Sequence, residues 1–154
     1  MKISEVLDKK AIKIGLATTT KEETLKELVG ILAKVEDIGD QKAIVKALIE
    51  RENLGSTGIG QGIAIPHGKT DKVNRLVAVL GISKNGVNFD ALDGEPVYIF
   101  FLLVAPKATA GPHLKALAQI SRLLRDTYFC ELIRKCKTEE EVFNLLKTEE
   151  EKKH

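Results

Sequence analysis

The sequence predicts an α/β fold, in which one domain has a mixed β-sheet flanked by α-helices on both faces. Helical periodicity is concentrated at the two ends of the chain, and strand-like segments lie mainly between them. The 154 residues are enough for one hydrophobic core, and no linker, internal repeat or shift in composition divides them. The strands are too few and too unevenly spaced for a barrel. We therefore expect a single domain over residues 1–154, with its sheet covered by helices.

The first half of the chain contains one short strand and two helices. Residues 11–15 are strand-like, and Thr20 with Glu23 has the pattern of a capping box at the start of a helix. Asp40 is suited to cap the second helix. The apolar residues at helical spacing are Leu25, Leu28, Val29 and Leu32 in the first helix and Ile44, Ala47 and Leu48 in the second. One further step of three places Arg51 on the second stripe.

The second half begins with strands and ends with helices. Residues 75–83 and 97–105 are rich in Val, Leu, Ile and Phe, with turn-forming Asn85-Gly86 and Asp93-Gly94 around them. Residues 105–112 read as a loop, and Pro112 suits the first position of a helix with Leu114, Leu117, Ala118, Ser121 and Leu124 on one face. Thr138 with Glu141 predicts the start of a last helix, packed by Val142, Leu145 and Leu146. We expect the charged residues 149–154 to fray.

Charge and composition exclude several classes of function. Lys and Arg total 24 against 22 Asp and Glu, and the chain has no Trp, so nothing favours nucleic acid as a partner. The longest apolar run, residues 97–105, is far shorter than the ~20 residues that span a bilayer, and the first residues lack the apolar core of a signal peptide. Cys130 and Cys136 have no redox or zinc spacing. We expect a cytoplasmic protein with reduced thiols and no membrane insertion.

Residues 55–68 are rich in glycine, but their spacing argues against a nucleotide cradle. A Walker loop has four residues between its first glycine and Gly-Lys-Thr, whereas Gly62 stands one residue too far from Gly68-Lys69-Thr70. A dinucleotide fingerprint beginning at Gly58 would require glycine where Ile63 stands. The histidines and carboxylates also lack the spacing of a metal site. We predict neither a cofactor nor a metal.

His67 is the candidate nucleophile. Pro66 fixes its own backbone and keeps Ile65 extended, so His67 should leave a strand end at a set angle, with Gly68 leaving the ring open on one side. A neutral imidazole has one unprotonated nitrogen, which can attack phosphorus. The alternative is an ordinary turn histidine among glycines that only bend the chain.

His113 and Arg51 are the candidate supporting residues. His113 follows Pro112 and should lie in the first turn of a helix, where the dipole favours a neutral ring and bound anions. Arg51 lies on an apolar stripe, so its guanidinium either extends to solvent or meets an anion. A solvated His113 and a solvent-directed Arg51 remain the simpler alternatives. Together, a nucleophile, a neutral donor and a cation suit phosphoryl transfer.

Two segments of the chain resemble a known family. They are residues 51–69, RENLGSTGIGQGIAIPHGK, and residues 113–121, HLKALAQIS. They are similar to the active-site and second-histidine segments of the fructose/mannitol-type enzyme IIA domains of the bacterial sugar phosphotransferase system. The resemblance extends over essentially the whole chain.

The resemblance implies a function and a set of roles. His67 would accept a phosphoryl group from the histidine-containing phosphocarrier protein, His113 would support transfer, and Arg51 would face the phosphoryl group. The family fold is a mixed sheet flanked by helices, without metal or organic cofactor. The ending Pro-His-Gly-Lys and the single free-standing domain resemble the nitrogen-regulatory branch, whose members bind target proteins according to phosphorylation state. The alternative is a sugar-transport component that passes the group to a cysteine of a IIB domain.

Overall fold

The computed structural model describes residues 2–108 and 110–152. The helices are α1 Ile3–Val6, α2 Lys21–Val35, α3 Gln41–Asn53, α4 Ala110–Leu124, α5 Thr127–Lys135 and α6 Glu139–Lys152, with a 3-10 turn at Lys9–Ala11. The strands are β1 Ile12–Ile14, β2 Gly58–Gly60, β3 Ile63–Ala64, β4 His67–Thr70, β5 Val77–Val87 and β6 Val97–Pro106. Within the described residues, no helix has the length and apolarity that crossing a membrane requires.

The strands form one mixed sheet in the order β1-β5-β6-β3-β2, with β4 also paired to β6. β5 and β6 are antiparallel, whereas β1 pairs with β5 and both β3 and β4 pair with β6 in parallel. β3 and β4 therefore lie end to end along the same side of β6. The interruption between them falls at Ile65 and Pro66, and Pro66 has no N–H to donate to a neighbouring strand.

Helices cover both faces of this sheet, as predicted. Residues 77–83 of β5 and 99–105 of β6 are buried without alternation, which requires cover on both sides. α2 and α3 pack against β5 and β4, α4 and α5 against β6, and α6 against β1. α2 approaches β5 closely at Gly81, where a Cβ would lie 2.8 Å from Leu28 Cδ2. Apart from Gly81 and Ser83, the two buried segments are apolar, and they form the centre of the hydrophobic core.

Three of the four predicted helix starts, those of α2, α3 and α6, are correct in position, but their capping contacts differ. Asp40 accepts from the backbone N–H of Lys42 at 3.0 Å, and the Thr138 hydroxyl accepts from that of Glu141 at 3.2 Å. Thr20 is the N-cap of α2, yet its side chain makes no capping hydrogen bond. Pro112 is not the first helical residue, since α4 begins at Ala110. It still lies in the first turn, where backbone N–H groups have no intrahelical acceptor, so the N–H that proline lacks is not needed. Of the predicted loop at 105–112, residue 109 is outside the described residues.

The Asn85-Gly86 turn is a correction to the sequence analysis. These residues lie inside β5, where the pairing with β6 shifts register between Ile82 and Val87. Gly86 adopts a φ of +89°, and a Cβ there would lie 2.9 Å from Pro96 Cβ. The glycine thus serves a strand irregularity, which has the same sequence signature as a turn. Asp93-Gly94 does form a turn, with the N–H of Gly94 donating to Ala91 at 2.9 Å.

The C-terminal segment is more ordered than its charge suggests. We expected residues 149–154 to fray, whereas α6 continues through Lys152. Glu150 is buried, and its carboxylate accepts from the backbone N–H groups of Ile3 and Ser4, the latter at 3.0 Å. It therefore satisfies the first N–H groups of α1, which holds both ends of the described chain together. Residues 153 and 154 are outside the described residues.

Candidate functional site

His67 is positioned by the break between β3 and β4. His67 was expected to leave the end of a strand, and β3 does end shortly before it, at Ala64, but His67 itself opens β4 and pairs with Leu103 of β6. The N–H of Leu103 donates to the carbonyl of Pro66 at 2.9 Å. The carbonyl of Ile65 instead accepts from Nδ1 of the His67 ring at 2.9 Å. The strand break thus supplies the acceptor that orients the imidazole.

This hydrogen bond determines which nitrogen of His67 is available. A carbonyl oxygen can only accept, so Nδ1 carries the proton and Nε2 of the neutral ring keeps its lone pair. Burial lowers the pKa of His67 below its ordinary value of 6.5, and the charge of Arg51 lowers it further. The bond to Ile65 and the charge of Glu52 oppose this effect without cancelling it. His67 is therefore a neutral, half-buried base at pH 7.

The glycines around His67 are not all required by the backbone. A Cβ at Gly68 would lie 3.4 Å from Leu48 Cδ2, which is an ordinary van der Waals contact, so packing against α3 does not itself require glycine there. Gly60 and Gly62 have φ values of +94° and +80° and form the tight connection between β2 and β3. The glycine-rich segment is thus a hairpin followed by strand β4. It does not lead into a helix N-terminus, which a phosphate-binding loop of the Walker type requires.

His113 lies in the first turn of α4 and faces His67. The ring centroids of the two histidines are 5.5 Å apart, with the planes tilted by 52°. His113 is only 4% exposed, and within the described residues its Nδ1 has no hydrogen-bond partner. Burial lowers the pKa of His113, and the neighbouring His67 and Lys69 add to this effect. A buried polar atom without a partner is uncommon in folded proteins and marks a place where a ligand could bind.

Arg51 lies in the last turn of α3 and follows the buried Ile44 and Leu48 along the predicted apolar stripe. Its Nη1 donates to the carbonyl of Gly55 at 2.8 Å, and its side chain is half-buried. Its charge also lowers the pKa of His67. Arg51 thus contributes positive potential at the histidine pair, where an anion would be stabilised.

Sequence reasoning missed a second group of residues beside the histidines. Glu52 is 6% exposed, and its carboxylate accepts from the backbone N–H of Thr57 at 3.0 Å and from the Thr57 hydroxyl. Lys21 Nζ lies 3.3 Å from the same carboxylate. Glu52 stands four residues after Leu48, so a step of four along the stripe could have identified it.

Exposed apolar side chains occur in the segments that form the site. Leu54 directly follows α3 and is 86% exposed, and Leu114 directly follows His113 and is 64% exposed. Ile59 of β2 and Leu92 are also exposed, and the N–H of Leu92 donates to the carbonyl of Gly58 at 3.2 Å. Within the described residues, no three His, Cys, Asp or Glu side chains gather as metal ligands would.

Comparison with known proteins agrees with this architecture. Residues 5–149 match the family described as phosphoenolpyruvate-dependent sugar phosphotransferase system, EIIA 2. A nitrogen regulatory protein of Bradyrhizobium diazoefficiens is 34% identical over 95% of this chain and 95% of its own length. A fructose-specific EIIABC component of Bacillus subtilis is 36% identical over 95% of this chain, which spans only 23% of that relative.

A solved structure leads to the same family. The crystal structure of the nitrogen regulatory protein IIA-Ntr from Neisseria meningitidis has a TM-score of 0.87 and 31% identity, covering 94% of this chain and 98% of that one. The resemblance found in the sequence is therefore confirmed. The chain belongs to the EIIA 2 family of the phosphoenolpyruvate-dependent sugar phosphotransferase system, a family of phosphotransferase components with phosphohistidine intermediates.

Proposed function

We propose that this protein carries a phosphoryl group on Nε2 of His67 and acts as a nitrogen-regulatory IIA protein. The observation that carries the proposal is the 2.9 Å hydrogen bond between Nδ1 of His67 and the carbonyl of Ile65. It commits the proton to Nδ1 and leaves the lone pair on Nε2 of a ring whose pKa is lowered. A nucleophile must be unprotonated at the attacking atom, and this one is so at neutral pH.

The transfer step follows from this geometry. The Nε2 lone pair attacks the phosphorus of a phosphohistidine on the donor protein, and a new N–P bond forms as the donor's N–P bond breaks. The donor imidazole takes the electron pair of the broken bond. Nδ1 of His67 keeps its proton and its bond to Ile65, so the phosphorylated ring gains positive charge.

His113 and Arg51 stabilise the phosphoryl oxygens in this proposal. The neutral ring of His113 has one N–H, and an acceptor is lacking at its buried Nδ1 within the described residues. Arg51 supplies a fixed positive charge, since its guanidinium is anchored on the carbonyl of Gly55. Donors and charges arranged before the reaction stabilise a transition state without reorganisation. Both residues thus favour charge that is spread over the transferring group.

The donor we propose is the histidine-containing phosphocarrier protein. A protein donor must bring its phosphohistidine against a half-buried ring, which requires a surface around His67 that excludes water. Leu54, Ile59, Leu92 and Leu114 offer such apolar contacts close to the site in the chain. Apolar side chains at the centre of an interface with charges at its rim are common in transient protein complexes.

The regulatory function is favoured over sugar uptake by the likeness to IIA-Ntr, in which nearly the whole of both chains superposes with a TM-score of 0.87. The second candidate is a sugar-transport component that passes the phosphoryl group to a IIB cysteine. It is supported by the 36% identity to the fructose-specific EIIABC component. Because the two functions use His67 in the same way, only the acceptor of the phosphoryl group distinguishes them.

The test is reconstitution with purified phosphotransfer proteins. The protein is incubated with labelled phosphoenolpyruvate, enzyme I and the phosphocarrier protein, and the site of labelling is mapped. We expect acid-labile, alkali-stable label on His67 that is retained when fructose- and mannitol-type IIB domains are added. Rapid discharge to a IIB cysteine would overturn the regulatory assignment. Label on a residue other than His67 would overturn the proposed acceptor.

A further inference from the structure

Glu52 is a carboxylate buried beside the histidine pair, and hydrogen-bond donors and a cation around it compensate its charge. Burying a carboxylate costs free energy unless hydrogen bonds and a cation offset the lost hydration. Thr57 supplies its N–H at 3.0 Å and its hydroxyl, and Lys21 supplies a positive charge at 3.3 Å. Lys21 is itself held 5.0 Å above the ring of Phe89. This arrangement gives Glu52 one defined position.

A chain of hydrogen bonds leads from Glu52 to the imidazole. Thr57 donates its N–H to Glu52, and its carbonyl accepts from the N–H of Ile65 at 3.0 Å. The carbonyl of Ile65 then accepts from Nδ1 of His67 at 2.9 Å. Successive bonds use different peptide groups, so the chain transmits position and not charge. If Thr57 moves, the carbonyl that orients His67 moves with it.

We propose that Glu52 is a positioning residue for phosphoryl transfer, which holds His67 in the Nδ1–H tautomer through Thr57 and Ile65. The proposal rests on the proposed function in one respect, namely that His67 receives the phosphoryl group. Arg51 and Glu52, consecutive on α3, then divide two tasks. Arg51 acts on the transferring phosphoryl group, and Glu52 fixes the ring that attacks it.

The charge of Glu52 also acts on His67 through space, and this effect too favours phosphorylation of the ring. Within the described residues, Arg51 and Glu52 on α3 act electrostatically on His67, the ring of His113 on α4 faces it, and Lys69 on β4 acts on His113. Arg51 lowers the pKa of His67 and Glu52 raises it. Since His67 becomes positively charged when it is phosphorylated, a nearby carboxylate stabilises the product of the step.

The experiment compares two buried carboxylates. Glu150 also accepts from two backbone N–H groups, those of Ile3 and Ser4, and belongs to none of the segments that form the site. Glu52→Gln and Glu150→Gln are therefore matched variants. The imidazole nitrogens of His67 are observed by ¹⁵N NMR across pH in the unphosphorylated protein, and initial labelling rates are measured at equal folded fraction.

We expect Glu52→Gln to lower the pKa of His67, to reduce the population of the Nδ1–H tautomer and to slow labelling about tenfold to a hundredfold. Thr57→Val keeps the carboxylate charge but removes its hydroxyl partner, so it should disturb the tautomer more than the pKa. Glu150→Gln should leave the tautomer, the pKa and the labelling rate of His67 unchanged.

The proposal is overturned if Glu52→Gln retains the wild-type tautomer, pKa and labelling rate. It is also overturned if the two Gln variants slow labelling equally at equal folded fraction, because Glu52 would then be structural only. Failure to label His67 in the wild type would sink the proposed function instead. The NMR readout of the unphosphorylated ring would still decide whether Glu52 positions it.

Discussion

Replacement of His113 tests the division of roles between the two histidines. Its buried Nδ1 has no hydrogen-bond partner within the described residues, and in the proposed function the ring donates a hydrogen bond only when the phosphoryl group arrives. A hydrogen bond to a charged group contributes about 1.5–3 kcal/mol. Its loss in the transition state corresponds to a rate decrease of about tenfold to a hundredfold.

Two substitutions separate the donor from the ring. His113→Gln keeps a side-chain N–H of similar reach, whereas His113→Ala removes the donor and leaves only the first turn of α4. We expect initial labelling rates in the order wild type, Gln, Ala, with the Ala variant slower by the full factor. His67 should still be labelled at long times in all three proteins, because the proposed acceptor is His67 and not His113.

Stability must be measured alongside, because His113 is 4% exposed. Truncation of a large buried side chain to alanine costs about 2–5 kcal/mol. Leu123→Ala is a suitable control, since Leu123 is also buried on α4. At a temperature where all variants are folded, the Leu123 variant should label at the wild-type rate. A wild-type rate for His113→Ala would refute the donor role, and unlabelled His113 variants together with normal labelling of His67→Ala would make His113 the acceptor.

Further predictions concern the nucleophile, the cation and the response to acid. His67→Ala should incorporate no phosphate and keep its melting temperature within a few degrees. Arg51→Leu should raise the barrier to phosphoryl transfer by on the order of 2 kcal/mol, which slows transfer about thirtyfold. It should change the free energy of unfolding little, because only one hydrogen bond, that to the carbonyl of Gly55, is lost. A large loss of stability with normal transfer would make Arg51 structural. The lowered pKa values of His67 and His113 imply a contribution to stability that is complete above pH 6.5 and is lost as the pH falls below it, because the unfolded state then binds more protons. Measured by denaturant unfolding, the free energy of unfolding of the double variant His67→Ala, His113→Gln should therefore fall less steeply with decreasing pH than that of the wild type. Equal pH dependence of the two proteins would contradict the lowered pKa values. Burial alone would raise the pKa of Glu27, but hydrogen bonds from Lys13, Ala17 and Thr18 lower it from 4.5 to about 2. Glu27→Gln should therefore lower the free energy of unfolding at neutral pH by up to about 3 kcal/mol and flatten its dependence on pH between pH 4.5 and about pH 2. An unchanged dependence on pH would refute this.

Much of the fold followed from local patterns. The stripe of Leu25, Leu28 and Leu32 predicted α2 because a helix needs one continuous apolar face, and all three are buried. The apolar run at 97–105 predicted a strand covered on both sides, which β6 is. α5 was not predicted, although Asp126 caps it by accepting from the N–H of Phe129 at 3.1 Å. A short helix of this kind depends on tertiary packing more than on its own propensity.

The chemistry divides in the same way between sequence and structure. By itself, the sequence determined that a proline and a glycine flank His67 and that His113 and Arg51 are its possible partners, because these constraints act within a few residues. Only the tertiary structure decided that the two rings lie 5.5 Å apart, that the Ile65 carbonyl fixes the tautomer, and that Glu52 is buried. The periodicity of a segment identifies its apolar face but not the element that will cover it. Contacts between distant segments depend on the register of β3 and β4 along β6, which is set by the packing of the whole sheet.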